Sequence, residues 1–471
     1  MIESRKNICL FCSLGCGLIV DVEREEAVNL EYDTECPANR GRLCSKGNYI
    51  LELINHPLRL NVPKKDGKPL RWDEASAEIA GAVHAARDKK AAAVVLSGDA
   101  SCEDVGLAVE FAVNCMANDK VAISLPTDDD KVVAALAGTS GGIMQATPDD
   151  VESSVCTIAV GDPFERCPVL AGRMLAARNA ARANSLNVVS ENSNTTSRFA
   201  TTHLKGSERQ NMLALVAAVA KTGGGKDGWQ KSLVEGIDAS PDAQRLAKRF
   251  LESEKSVVVV STGDPVVAQL ANALLKAAGD NKLLFALHDY GNARSITEIF
   301  AGGASTKDVI ESAGRGEIDV LIILGADLVA SYPDLDVGGA LSKVKTVVAG
   351  APFANKTTAL AGMVLPTALW LETDGTFNGQ ARSAVVEPPG GAISYGNVLG
   401  AVSSAMDVEL RAPSPTKALA EEAIDRNKAV AIASAAREEG AKPPVQSTAI
   451  RFADGSLTDR VCWMKMLEKV H

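Results

Sequence analysis

No run in this chain approaches eighteen apolar residues, so no part of it is expected to cross a bilayer as a helix. It has no excess of basic residues either. The 471 residues carry a formal net charge of −10, which argues against a nucleic-acid surface and against an anionic membrane surface as partners. The opening Met1-Ile2-Glu3-Ser4-Arg5-Lys6 lacks a twin arginine followed by an apolar core, so no export signal is expected. Ten cysteines without an export signal imply a reducing compartment, and a cytoplasmic location is the expectation. What is present, 46% hydrophobic and 23% charged residues, is globular, and 471 residues exceed one ordinary core. Two or three domains should result.

The most informative stretch is the first fifty residues. Cys9, Cys12 and Cys16 stand as C-x2-C-x3-C, and Cys36 and Cys44 follow at a distance. Three thiolates two and three residues apart can wrap one face of a compact centre, and a fourth from a distant loop closes the far corner. Gly15 and Gly17 allow the backbone to turn tightly there. Four cysteines holding a [4Fe-4S] cube is a standard arrangement. A structural zinc usually shows two paired C-x2-C knuckles, whereas here the distal ligand stands alone. Disulfides suit short secreted chains, and inert buried cysteines are seldom three within eight positions. Both Cys36 and Cys44 qualify as the fourth ligand.

The rest reads as an α/β fold. Gly17–Val22 and Val28–Tyr32 predict a small antiparallel platform for the cysteine loop, within a cluster domain over residues 1–60. Residues 61–72 are a Pro/Lys/Gly connector, and Asp73 is a candidate N-cap for an Ala-rich helix. Beyond it, apolar runs at 92–99, 155–162, 186–190, 257–261, 283–287, 320–325 and 346–350 predict strands with helices between. That pattern argues for parallel sheets covered on both faces. Three strand-end steps recur 161 to 165 residues apart: Ser97-Gly98-Asp99 with Thr262-Gly263-Asp264, Gly161-Asp162 with Gly325-Ala326-Asp327, and Asn194-Thr195-Thr196 with Asn355-Lys356-Thr357. Two related Rossmann-like lobes, 73–250 and 251–410, are expected, followed by a helical tail over 411–471. Ligands of such sheets sit beyond the carboxyl ends of the strands, which makes Gly161, Asp162, Gly325 and Asp327 candidates for contact with cofactor phosphates. None of these strand ends opens a G-x-G-x-x-G, so no nicotinamide fingerprint accompanies them.

C-x2-C-x3-C, a gap of 27 residues and Cys44-Ser45-Lys46-Gly47 resemble the N-terminal [4Fe-4S] domain of the molybdopterin oxidoreductase superfamily. The superfamily includes formate dehydrogenases, periplasmic nitrate reductases and the large iron-sulfur subunit of NADH dehydrogenase. His56-Pro57-Leu58-Arg59-Leu60, Arg71-Trp72-Asp73-Glu74-Ala75 and Leu365-Pro366 through Glu372-Thr373-Asp374-Gly375-Thr376-Phe377-Asn378 continue the likeness to about residue 410. The resemblance favours Cys44 over Cys36 as the fourth ligand. It gives Lys46 the place of a lysine lying between cluster and pterin, and Arg382 that of the last motif's arginine. It also implies two lobes that each bind one pterin dinucleotide where molybdenum or tungsten is present.

Two departures shape the functional expectation. Where formate dehydrogenases carry a metal-ligating cysteine or selenocysteine with a histidine beside it, this chain reads Val121-Ala122-Ile123-Ser124-Leu125-Pro126 through Lys131, with neither. Ser124 is the nearest hydroxyl and Cys115 lies ten residues early. About sixty residues follow Asp407, fewer than the family's closing β-barrel would need. The expectation is therefore an iron-sulfur electron-transfer subunit of a cytoplasmic NADH- or formate-dehydrogenase-like complex. It would carry one [4Fe-4S] cluster and use vestigial lobes as scaffold, with other iron-sulfur and flavin subunits as partners. The competing expectation is a catalytic molybdenum or tungsten bis-pterin subunit of a formate or formylmethanofuran dehydrogenase. Molybdopterin guanine dinucleotide is the cofactor that separates the two. The remaining cysteines, Cys102, Cys115, Cys156, Cys167 and Cys462, read as scattered, with Cys156 in a strand core.

Overall fold

The structure, a computed structural model, describes residues 1–125, 132, 135, 145–222, 234–279, 281–293, 295–296 and 304–411. The tail expected over 411–471 lies outside these residues except for Arg411.

Strands β1 (Ile2–Ile8), β2 (Gly17–Glu23) and β3 (Glu26–Tyr32) form an antiparallel sheet in that order. Arg24 and Glu25 join the last two with positive φ angles of 52° and 69°, as a two-residue hairpin turn requires. β2 and β3 are the expected platform. β1 gives no hydrophobic signal, because Ile2 to Lys6 lie on a solvent-facing edge and only Asn7 and Ile8 are buried.

The connector at 61–72 is more ordered than its composition suggests. It holds a short hairpin, β4 (Lys64–Lys65) and β5 (Lys68–Pro69). The helix that follows, Trp72–Arg87, has Arg71 and not Asp73 at its N-cap position. The Arg71 N–H donates to the Glu74 carboxylate at 3.1 Å, and Asp73 sits in the first turn, where its charge still favours the helix dipole.

The remaining principal strands are β6 (Ala92–Ser97), β7 (Val121–Ser124), β8 (Cys156–Gly161), β9 (Ser185–Ser190), β10 (Thr202–Lys205), β11 (Ser256–Ser261), β12 (Lys282–Ala286), β13 (Val320–Leu324), β14 (Thr346–Ala351) and β15 (Met363–Pro366). One sheet has the order β10-β9-β8-β11-β12 and is parallel throughout. The other has the order β5-β4-β15-β14-β13-β6-β7, parallel from β15 to β7 with the β4–β5 hairpin antiparallel at one edge. The fold is mixed α/β, as the buried apolar runs require.

Sheet membership does not follow the expected boundary at 250. β6 and β7 precede it yet pair with β13, while β11 and β12 follow it yet extend the sheet begun at β8. The chain leaves the larger sheet after β7, completes the smaller one, and returns at β13. A local apolar run identifies a strand but does not name its neighbour, because parallel pairing is made through long crossovers.

The N-terminal domain packs against the five-stranded sheet and the segment after β15. Ile8, Leu10, Phe11, Leu14, Leu18, Ile50 and Leu53 share one buried cluster with Phe164, Leu170, Val257, Val259, Trp370 and Leu371. Phe11 meets Trp370 edge-on at 5.4 Å between ring centres, and the Trp370 indole N–H donates to the Ile8 carbonyl at 2.9 Å. Arg173, almost wholly buried, and Arg40 both engage Asp149 and Glu152 at 2.6 to 3.1 Å. This clamp fixes the loop before Cys44 onto the first helices of the smaller sheet.

Candidate functional site

The cysteine loop is the turn from β1 into β2. The Cys9 N–H donates to the Cys16 carbonyl at 2.8 Å, and the Gly15 N–H reaches the Cys12 carbonyl at 3.4 Å. Gly15 has φ +65°, and a Cβ there would stand 2.5 Å from Asn378 Nδ2. At Gly17 a Cβ would lie 2.4 Å from the Cys36 Cβ. These glycines are required by close approach, and one of the two approaching groups comes from the far end of the described chain.

Cys9, Cys12, Cys16 and Cys44 act on one another electrostatically. Burial pushes the Cys9 thiol well above the ordinary range, and Cys44 and Cys12 push it further. Cys16 is raised first by burial, then by Cys12, Cys9, Cys44 and, least, Cys36. Cys44 is raised by burial and then by Cys12, against N–H groups of Gly47 and Lys46 that favour its thiolate. For Lys46, burial would lower the pKa, but the Asp289 carboxylate and then Cys12, Cys44 and Cys9 outweigh it. A half-buried positive charge is thus kept beside the sulfurs. Among the described residues no group of three or more His, Cys, Asp or Glu side chains could hold a single metal ion. The four thiols share one neighbourhood, as their mutual influences show. The donor set, the glycine turns and the adjacent lysine fit a [4Fe-4S] centre.

Sequence reasoning missed two further components. Cys167, set aside as scattered, is 2% exposed and its Sγ lies 3.9 Å from Cys12 Sγ. This contact is the first cause that draws the Cys12 thiol down to about 7. The segment after β12 is the second component. The Ser13 N–H donates to the His288 carbonyl at 3.0 Å, His288 N–H donates to Ser13 Oγ at 2.9 Å, and Cys12 bridges to Asp289. Arg166 ties that segment to the turn before Cys167, donating to the Leu287 carbonyl at 2.8 Å and meeting Asp289 at 3.5 Å. Neither component carries a local motif; both reach the cysteines through pairing distant in sequence.

The segment Leu365 to Asn378 seats the cysteine loop from the other side. Glu372 forms two 2.6 Å hydrogen bonds with Arg59, with both side chains buried. Thr376 donates to Glu103 at 2.7 Å from its N–H and 2.6 Å from its hydroxyl. β16 (Gly375–Phe377) and β17 (Gln380–Arg382) then form a hairpin. Arg382 closes it beside Gln380, and its buried Nε has no hydrogen-bond partner among the described residues.

The glycine-aspartate strand ends are tied to neighbouring loops by hydrogen bonds. Asp162 accepts from Thr195 N–H at 2.9 Å, Thr196 N–H at 3.1 Å and the Thr196 hydroxyl at 2.5 Å. Asp327 accepts from Lys356 N–H at 3.0 Å, Thr357 N–H at 3.1 Å and the Thr357 hydroxyl at 2.7 Å. A Cβ at Gly161 would lie 2.0 Å from the Ser261 carbonyl, and one at Gly325 2.1 Å from the Tyr395 hydroxyl. These four residues fit as loop supports and strand contacts. Each aspartate carboxylate orders the loop that follows the neighbouring strand. Ser124 is buried at the end of β7, and residues 126–131 of its window lie outside those described.

At the carboxyl end of the smaller sheet Glu208 is held up to about 7, first by burial and then by Asp264 and Glu191. A carboxyl whose folded pKa exceeds its unfolded value favours folding at low pH, where the proton stays on. That advantage fades between the ordinary carboxyl range and about 7. With its partial exposure allowed for, the cost above pH 7 is about 1–2 kcal/mol. Glu208→Gln should therefore raise the urea midpoint at pH 8 and leave it unchanged at pH 4.5; an equal change at both would remove the linkage.

A family model described as the molybdopterin oxidoreductase Fe4S4 domain matches residues 2–56, and one described as molybdopterin oxidoreductase matches residues 59–405. The F420-dependent formate dehydrogenase subunit alpha of Methanocaldococcus jannaschii is 23% identical over 82% of this chain and 68% of its own length. Two solved structures share the fold. One is acetylene hydratase from Pelobacter acetylenicus, with TM-score 0.67 and 14% identity over 86% of this chain and 69% of that one. The other is the formyltransferase/hydrolase complex FhcABCD from Methylorubrum extorquens, with TM-score 0.53 and 16% identity over 74% of this chain and 99% of the matched one. Among the described residues no helix is long and apolar enough to cross a membrane.

Proposed function

We propose, for a chain that belongs to the molybdopterin oxidoreductase family, the role of an alpha-type subunit in a multi-subunit, formate-dehydrogenase-like oxidoreductase. The observation that carries it is the continuity of the cysteine site with the body of the protein. Four thiols and Lys46 are held between the segment after β12 and the Glu372–Asn378 strip, inside a match that runs on to residue 405. Cys9, Cys12, Cys16 and Cys44 would hold a [4Fe-4S] cluster, which when bound supplies reversible one-electron storage. Lys46 keeps a positive charge beside it, which favours the reduced state, and Phe11 and Trp370 exclude water from the β1 side.

The molybdenum or tungsten bis-pterin reading is supported by the family match and the formate dehydrogenase relative. It places the subunit with others of a cytoplasmic redox complex. The two sheets would be related lobes. Their Asp162 and Asp327 loops use the same donors, at offsets of 161 to 165 residues. A second reading, electron relay on vestigial lobes, is favoured by the absence of cysteine and histidine over Val121–Leu125 and by the occupied Asp162 and Asp327. Metal analysis of the anaerobically purified complex decides between them. Iron near about four per chain with stoichiometric molybdenum or tungsten supports the catalytic subunit. The same iron with neither metal leaves the relay, and a colourless, iron-free protein overturns both.

A further inference from the structure

We propose that Cys167 is a tuning residue of the metal centre, donating its S–H to the sulfur of Cys12. This rests on the cluster reading above. The two Sγ atoms are 3.9 Å apart, within hydrogen-bond reach for sulfur. A thiolate bound to iron has no proton left to give, so the donor must be Cys167. The geometry is fixed from several sides. Cys167 occupies the N-cap position of the helix Pro168–Ala180 without its side chain capping it, so the thiol is left for another partner. Its N–H donates to the Pro163 carbonyl at 2.9 Å, and its carbonyl accepts from Ala171 N–H at 3.1 Å. Arg166, one residue before it, bonds to Leu287 and Asp289, and Asp289 bridges to Cys12. Donor and acceptor thus hang from one rigid frame. At 2% exposure the Cys167 thiol is shielded from bulk solvent.

A hydrogen bond to a ligand sulfur stabilises the more negative, reduced cluster and raises its potential. Removing it should lower the potential, and restoring a donor should return it. The test uses the full chain with any co-purifying subunits, compared as wild type, Cys167→Ala and Cys167→Ser. Iron per chain and the midpoint from electron paramagnetic resonance during a redox titration are read for each. Iron should be equal in all three. At the potential where the wild type is half reduced, Cys167→Ala should show a reduced-to-oxidised ratio about threefold to tenfold lower, tenfold corresponding to 59 mV for one electron. Cys167→Ser should lie between the two. An unchanged midpoint in Cys167→Ala at full iron content overturns the proposal. So does loss of iron in Cys167→Ala, which would make Cys167 a residue that holds the cluster. A wild type without iron fails the cluster reading itself and is told apart before any variant is compared.

Discussion

Glu372→Ala should lower the unfolding free energy by about 3–5 kcal/mol, the loss expected when one partner of a buried ion pair is removed. Arg59 and Glu372 have side chains only 4% and 0% exposed and meet through two 2.6 Å hydrogen bonds. The carboxylate also accepts from the Leu369 N–H at 2.8 Å, so truncation leaves three N–H groups without their acceptor at once. Among the described residues the Arg59 guanidinium would keep only a 3.4 Å contact to the Ile54 carbonyl and its place over the Phe353 ring. Neither offsets an unpaired buried charge. The pair joins the end of the cluster domain to the strip that seats the cysteine loop, so iron content should fall along with stability. Arg59→Met combined with Glu372→Met should lose less than either alanine single variant, because no orphan charge remains. Urea unfolding of the four proteins at pH 7 measures this. An E372A midpoint indistinguishable from wild type would mean that the pair holds nothing together.

That ion pair also shows how far the sequence could be read. Arg59 and Glu372 each stand in a stretch singled out by resemblance, but their 313-residue separation hides the contact. The strands were legible because buried parallel strands are continuous apolar runs, and β6, β8, β11 and β13 are wholly buried. Their partners were not, since β6 finds β13 across more than two hundred residues. The cysteine site divides in the same way. Cys9, Cys12 and Cys16 announce themselves by spacing, whereas Cys167 and Asp289 join them through crossovers without a motif. Gly161 and Asp162 illustrate the opposite ambiguity. A strand ending in Gly-Asp has the composition of a ligand loop, yet the aspartate's oxygens are taken by Thr195 and Thr196. Composition marks where a loop needs hydrogen bonds, not whether a ligand or the protein supplies them.

Cys44→Ser should reduce bound iron from about four per chain to a small residue and abolish the reduced-cluster resonance, while Cys36→Ser should leave both intact. The two cysteines occupy one loop and differ in what surrounds their sulfurs. Cys44 opens the short helix Ser45–Asn48, where N–H groups of Gly47 and Lys46 stabilise its thiolate. Asn48 holds that turn in place, donating to the Cys44 carbonyl at 3.0 Å. The Cys44 thiolate is felt at Cys9, Cys16 and Lys46. Cys36 instead rests on Gly17, where any Cβ would come within 2.8 Å of its sulfur, and it is the weakest of the four thiol influences on Cys16. A thiolate ligand needs donors that favour its charge and a line to the other sulfurs; Cys44 has both. Serine keeps the size of the side chain but binds iron poorly, so the substitution tests ligation more than folding. Thermal unfolding of the iron-free forms provides the control, with the two variants expected to match. If Cys36→Ser lost the iron and Cys44→Ser kept it, the fourth corner would belong to the loop against Gly17. Lys46 would then stand behind a residue that binds nothing.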